Sequence, residues 1–114
     1  MVEYNSERLD RVFHALSDAT RRAMLRQLAE REVSITELAE PHRMSFAAVS
    51  KHLKVLEEAA FVVRTKDGRI HRCRANLAPL GDVTQLLEEL GSFWRNKLDD
   101  LDKFLTQEKP SGVK

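Results

Sequence analysis

A short break between two helical periods constrains this chain more than any other feature. Ser34 and Glu37 stand in S-x-x-E spacing, the capping box in which each side chain satisfies a backbone N–H of the other residue at a helix start. Leu38 and Ala39 follow, and Pro41 predicts the end of that helix because it lacks an N–H and its ring crowds the preceding turn. After the turn His42-Arg43-Met44, a new period opens at Ser45: Val49, Leu53, Leu56 and Ala60 fall on a narrow arc at roughly 100° per residue. A short capped helix, a tight turn and a second amphipathic helix make a helix-turn-helix. The Val49 arc is its expected buried face.

The flanking segments extend this unit. Leu9, Val12, Phe13 and Leu16 recur at i, i+3, i+4 and i+7, the stripe of a first helix. Asp18 reads as the N-cap of a second, carrying Met24, Leu25, Leu28 and Ala29. Downstream, residues 62–66 and 69–74 flank Asp67-Gly68, which predicts a hairpin whose two-residue turn needs positive φ. That register sets Lys66 opposite Arg69, Arg64 opposite His71 and Val62 opposite Cys73 on one face, with Thr65 opposite Ile70 and Val63 opposite Arg72 on the other. In the last third, Leu87, Leu90, Trp94, Leu98, Leu101 and Leu105 step by three and four, interrupted by Gly91-Ser92, so one kinked helix or two consecutive ones are expected. The expected fold is mainly α with a small β-hairpin wing, a winged helix-turn-helix. It forms one domain over residues 1–109, followed by a disordered tail at 110–114.

The net charge of +1 hides an uneven distribution. Residues 1–42 carry six Lys/Arg against eight Asp/Glu, residues 43–74 carry eight against three, and residues 75–114 carry five against seven. The excess of +5 in the middle block is the expected footprint of a polyanion. Opposite the Val49 arc lie Ala47, Lys51 and Lys54. Small residues let a helix approach a groove floor, an alanine methyl can meet a thymine methyl, and the lysines reach base acceptors or phosphates. Like charges opposed at the hairpin tip would cost stability unless an anion relieved them, so Arg64, Lys66 and Arg69 read as phosphate or minor-groove contacts, with Arg72 in support. Double-stranded DNA is the expected partner.

Other classes are weakly supported. No run of eighteen apolar residues or basic leader is visible, so a soluble, cytoplasmic protein with no membrane partner is expected. Cys73 is the single cysteine, and no two of His14, His42, His52 and His71 have i, i+4 spacing, so no metal site is expected and no cofactor either. No nucleophile, base and orienting group converge, so no enzyme is expected. Two alternatives to a simple regulator stand beside it: a sensor that responds to a small ligand or to oxidation of Cys73, and a winged-helix protein-interaction module.

The run from Phe13 to Arg22, F-H-A-L-S-D-A-T-R-R, the run V-S-K-H-L-K-V-L-E from Val49 to Glu57, and the wing Asp67-Gly68-Arg69 together resemble the ArsR-type family of bacterial winged-helix repressors, from about Leu9 to Leu105. The resemblance implies a homodimeric repressor of an inverted-repeat operator, its own promoter among the candidates, joined through its first and last helices. It also implies a groove-facing set of Ser45, Phe46, Ala47, Ser50, Lys51, His52 and Lys54. His52 flanks the buried arc, so it is open to a structural hydrogen bond or to a base contact. Surplus apolar surface on the terminal helices points to an interface of Leu9, Val12, Phe13, Leu16, Trp94, Leu98, Leu101 and Phe104, with packing of Trp94, Leu98, Leu101 and Phe104 within the chain as the alternative. The third helix lacks cysteine and the last lacks histidine, unlike metal-sensing relatives, so the chain resembles the metal-independent members. Ala59-Ala60-Phe61 stands where a glycine commonly follows the recognition helix, so a helix end without a left-handed cap is expected.

Overall fold

The computed structural model describes residues 2–113 and, within them, the side chains of 6–106; of the tail expected at 110–114, the backbone of 110–113 falls within the last helix, and Lys114 and the tail's side chains lie outside the described residues. Helix α1 (Val2–Leu16) buries Val12 and Ala15 and packs on the two helices that complete the core. Helix α2 (Ala19–Glu30) begins where Asp18, in extended backbone, accepts the Arg21 N–H at 3.0 Å, the expected N-cap. Met24, Leu25 and Leu28 are buried, while Ala29 lies off that face and is exposed.

Ser34 serves two elements. It ends strand β1 (Val33–Ser34) and caps helix α3 (Ile35–Ala39), accepting the Glu37 N–H at 3.2 Å while Glu37 accepts the Ser34 N–H at 3.0 Å. Pro41 sits in a single 3-10 turn (Glu40–His42), and Arg43 closes it in the left-handed region at φ 51°. Helix α4 (Phe46–Glu58) then starts from Ser45, whose hydroxyl accepts the Ala48 N–H at 3.1 Å. Val49, Leu53 and Leu56 are fully buried, as their spacing required.

The end of α4 corrects two expectations. Ala60 is left-handed at φ 65° and exposed, outside the arc assigned to it, and Ala59 takes the buried place. The Ala60 N–H reaches the Glu57 carbonyl and the Phe61 N–H the Leu56 carbonyl, both at 2.9 Å, which is the Schellman pattern. A left-handed cap therefore exists without glycine. It folds Phe61, fully buried, back toward the core.

Strands β2 (Val62–Asp67) and β3 (Ile70–Ala75) form the wing. Their register lies two residues from the expected one: Asp67 pairs with Ile70, Lys66 with His71, Thr65 with Arg72, Arg64 with Cys73, Val63 with Arg74 and Val62 with Ala75. The turn is Gly68-Arg69, with only Gly68 at positive φ (+64°), whereas Asp67-Gly68 would have forced Asp67 into the left-handed region as well. A two-residue shift keeps every side chain on its expected face. It does separate the opposed cations at the tip, so the like-charge crowding is absent. Strand β1 joins the other edge, Val33 against Cys73 and Ser34 against Arg72, giving an antiparallel sheet in the order β1-β3-β2. The architecture is a winged helix-turn-helix, mostly helical with a small three-stranded sheet.

The chain divides into two units, one up to Asp82 and one from Val83. The buried hydrophobic side chains, from Val12 to Cys73, all belong to the first. Helix α5 (Leu80–Val113) is continuous through Gly91-Ser92, and its first turn carries Asp82, which accepts from Arg8 of α1 at 2.9 Å. Along the second unit Leu87, Leu90, Phe93, Trp94, Leu98, Leu101, Phe104 and Leu105 are exposed. Among the described residues no helix is long and apolar enough to cross a membrane.

Candidate nucleic-acid interface

Burying Val49, Leu53 and Leu56 dictates what α4 shows to solvent. Ser45, Phe46, Ala47, Lys51 and Lys54 are exposed, with Ser50 and His52 half-buried on the flanks. The exposed face is narrow, small at Ala47 and cationic at Lys51 and Lys54, the chemistry of a helix that can enter a major groove. Across a cleft of about 470 Å³, the Phe46 end of this helix meets Arg69, Ile70 and Arg72 of the wing. Recognition helix and wing thus border one surface.

The wing residues differ in availability. Lys66 and Arg69 are exposed, Arg69 within the turn itself, and Arg72 is half-buried. Arg64, expected as a phosphate or minor-groove contact, is engaged within the chain. Its guanidinium donates to both carboxylate oxygens of Glu57 on α4, at 2.7 and 3.3 Å, and so ties β2 to the recognition helix. The register places Arg64 opposite Cys73, at the base of the wing rather than near its tip.

Arg21 is the residue the sequence reading passed over. It is a buried charge at 9% exposure, and it donates from Nε to the Ala15 carbonyl at 2.9 Å and from Nη2 to the His14 carbonyl at 2.8 Å. Arg22 adds a bond to the Leu16 carbonyl at 2.7 Å. Together they satisfy carbonyls that the end of α1 leaves without intrahelical partners. The remaining Arg21 nitrogen, Nη1, lies 3.3 Å from Nδ1 of His52 on α4. The Arg21 backbone N–H holds the Asp18 carboxylate below the usual range against the opposing effect of desolvation, and the Arg21 charge, with that of His52 when its ring is protonated, adds to the lowering. The visible signal was the Arg21-Arg22 pair itself, placed just beyond a helix end where cations satisfy carbonyls.

Cys73 is fully buried between Val33 and Arg64 in the sheet, and burial pushes its thiol up to about 11. It pairs with Arg64 rather than the expected Val62, but remains a small apolar filler. Among the histidines, His42 Nε2 lies 2.6 Å from the Gln27 amide oxygen. No group of three or more His, Cys, Asp or Glu side chains able to hold a metal occurs among the described residues.

Of the expected interface residues, Val12 has no exposed surface. It belongs to the core of its own chain, because α1 turns that position onto α2 and α4. Leu9 and Leu16 are half-buried, Phe13 is exposed, and Trp94, Leu98, Leu101 and Phe104 are exposed.

A capped α3, a left-handed turn, a cationic α4 and an arginine-bearing wing define a winged helix-turn-helix protein of the DNA-binding class. A model of a helix-turn-helix domain matches residues 16–65. The HTH-type transcriptional regulator Rv2034 of Mycobacterium tuberculosis is 36% identical over 101 residues, covering 87% of this chain and 90% of that one. Among solved structures, the ArsR-like transcriptional regulator from Rhodococcus sp. RHA1 superposes with a TM-score of 0.75 at 34% identity, covering 87% of this chain and 93% of that one. The ArsR family transcriptional regulator RHA00566 gives a TM-score of 0.76 at 33% identity, covering 79% and 93%. The chain belongs to the ArsR family of helix-turn-helix transcriptional regulators. It is a DNA-binding regulator of transcription.

Proposed function

We propose that this protein is a homodimeric repressor that lays α4 in the major groove of an inverted-repeat operator, with its own promoter as the first place to look. The observation that carries the reading is the two-sidedness of α4: three fully buried apolar residues on one face, and Ala47, Lys51 and Lys54 in solvent on the other. Ser45 and Phe46 border the groove, and Lys66, Arg69 and Arg72 hold the flanking backbone. A second copy is the occupant for the apolar face of the second unit, and Phe13 of α1 is a further exposed apolar residue for such pairing. Two-fold pairing would set two recognition helices roughly 34 Å apart, one turn of duplex.

Metal-independence is part of this reading. His42 and His52 are engaged with Gln27 and Arg21, Cys73 is buried as a thiol, and no group of three or more possible ligands converges among the described residues, which supports this reading. The same burial disfavours an oxidation switch at Cys73.

Footprinting on the upstream region, with metal analysis of the purified protein, tests the proposal. Protection of an inverted repeat by metal-free protein is the expected result. Lys51→Ala should weaken specific binding by about 1–3 kcal/mol. Unchanged affinity in that variant would remove α4 from the groove.

A further inference from the structure

We propose that Arg21 is a positioning residue that fixes the neutral His52 imidazole as its Nε2–H tautomer, so that α4 presents an uncharged donor to a DNA phosphate at the edge of the groove. A guanidinium has donors and no acceptor. Its Nη1 can meet His52 Nδ1 at 3.3 Å only if that nitrogen offers its lone pair. Arg21 cannot readily turn away, because Nε and Nη2 are held by the Ala15 and His14 carbonyls at 2.9 and 2.8 Å. The competing partner, Asp18 Oδ2, stands 3.9 Å from the same Nδ1, too long for a hydrogen bond. A neutral ring has one N–H, so the proton sits on Nε2.

That nitrogen lies on the far side of the ring from Arg21. It has no hydrogen-bond partner among the described residues, and it is absent from the buried unpartnered atoms, of which His71 Nδ1 is the example. The His52 side chain keeps 22% of its surface exposed. It sits on the flank of α4, turned from the Ala47-Lys51-Lys54 face toward the buried arc. A flank position borders the phosphate ridge of a groove rather than its floor, which favours a phosphate oxygen as the acceptor. A neutral donor releases no counterion, so this contact should add affinity without adding salt dependence.

The inference rests on the proposed docking of α4, and two kinds of measurement separate the two. Long-range nitrogen–proton spectra of the free protein, at a pH where the ring is neutral, should show His52 in the Nε2–H form. An Nδ1–H pattern would overturn the proposal with no DNA present. The second measurement uses a duplex selected from a random pool by the unaltered protein. His52→Asn keeps an acceptor near Nδ1 for Arg21 and drops the outward donor; His52→Gln keeps an amide N–H near the Nε2 position. We expect His52→Asn to bind about ten-fold more weakly with an unchanged salt slope, and His52→Gln to stay within about threefold. Equal binding by the two, the reverse order, or a reduced slope in His52→Asn would each refute the phosphate contact. Arg21→Met should allow the Nδ1–H form to appear, and a ring still wholly Nε2–H would deny Arg21 its role. Should that variant fail to fold, the wild-type spectrum and the Asn/Gln pair still decide. If instead Lys51→Ala leaves affinity unchanged, the docking falls while the tautomer result stands.

Discussion

Helices α4 and α5 carry apolar stripes written in the same spacing, yet the two stripes meet different fates. Val49, Leu53 and Leu56 on α4 have 0% exposure, whereas Leu90, Trp94, Leu98 and Leu101 on α5 keep between 48% and 62%. The α4 stripe is covered because α1, α2, α3 and β2 all pack against it, and these lie within a short stretch of the same chain. Among the side chains that α4 leaves in water are Lys51 and Lys54, with Phe46 the one large apolar residue, whereas α5 leaves a whole apolar stripe in water beside its charged residues. Periodicity therefore announces that a face will be buried but not by what. One helix is completed from within, its far side being the face proposed to meet DNA, and the other leaves an apolar face for the proposed second copy.

The sharpest way to break this comparison is to shorten one leucine of the covered stripe. Leu53→Ala should destabilise the fold by about 2–5 kcal/mol, through lost transfer energy and the cavity left behind. The loss should appear as a lower denaturation midpoint at every protein concentration, with the association constant of the folded chains unchanged. Trp94→Ala on α5 should behave in the opposite way. If Trp94 anchors a dimer, its truncation should weaken association by about 2 kcal/mol or more while leaving secondary structure intact. Sedimentation across a concentration series reads this directly. A Trp94→Ala protein that remains dimeric at low concentration would move the interface elsewhere.

A smaller effect separates the two arginines that the sequence placed together. Arg64→Ala breaks the bridge to Glu57, both side chains being roughly one-third exposed or less, and should cost up to about 1 kcal/mol of stability. Its removal should leave the salt dependence of DNA binding nearly unchanged. Arg69→Ala, in the exposed turn, should leave stability within about 0.5 kcal/mol yet lower the salt slope by about one unit. Interchanged results would return Arg64 to the DNA surface.

The helix positions were legible because the starts carry local chemistry: Asp18 and Ser34 with Glu37 cap as expected, and Ser45, where the helical period opens, proves to be a cap as well. The wing faces were legible too, since alternation survives a two-residue slip. The register was not. Asp-Gly and Gly-X turns are both open to the sequence around Asp67, and pairing with a buried Val33 is a long-range contact that no local pattern announces. The same blindness hid Arg21. Its role depends on where α1 ends and where His52 of α4 arrives, thirty-one positions along the chain. The face of α4 followed from burial at known positions, whereas the split of Arg64 from Arg69 required the ladder itself.

The smallest expected effect lies at the point where the covered stripe ends. A glycine-free cap was expected to lack the left-handed residue, but Ala60 adopts it at φ 65°, so that Phe61 can return its N–H to Leu56 and its ring to the core. Asn76 then fastens the same corner, donating from its backbone to the Phe61 carbonyl at 2.7 Å and from its side chain to the Ala60 carbonyl at 2.9 Å. A β-carbon in the left-handed region costs roughly 1–2 kcal/mol, and glycine removes that cost while adding freedom to the unfolded chain. Ala60→Gly should therefore stabilise the protein by about 0.5–1 kcal/mol, raising the melting temperature by a few degrees. Neither the denaturant slope nor DNA affinity should move, because Ala60 is exposed and lies at the opposite end of α4 from Phe46. A neutral or destabilising result would mean that the surrounding bonds, and not the Schellman turn, hold Phe61 in place. The return of α4 into the core would then depend on Asn76, and Asn76→Ala would become the larger loss.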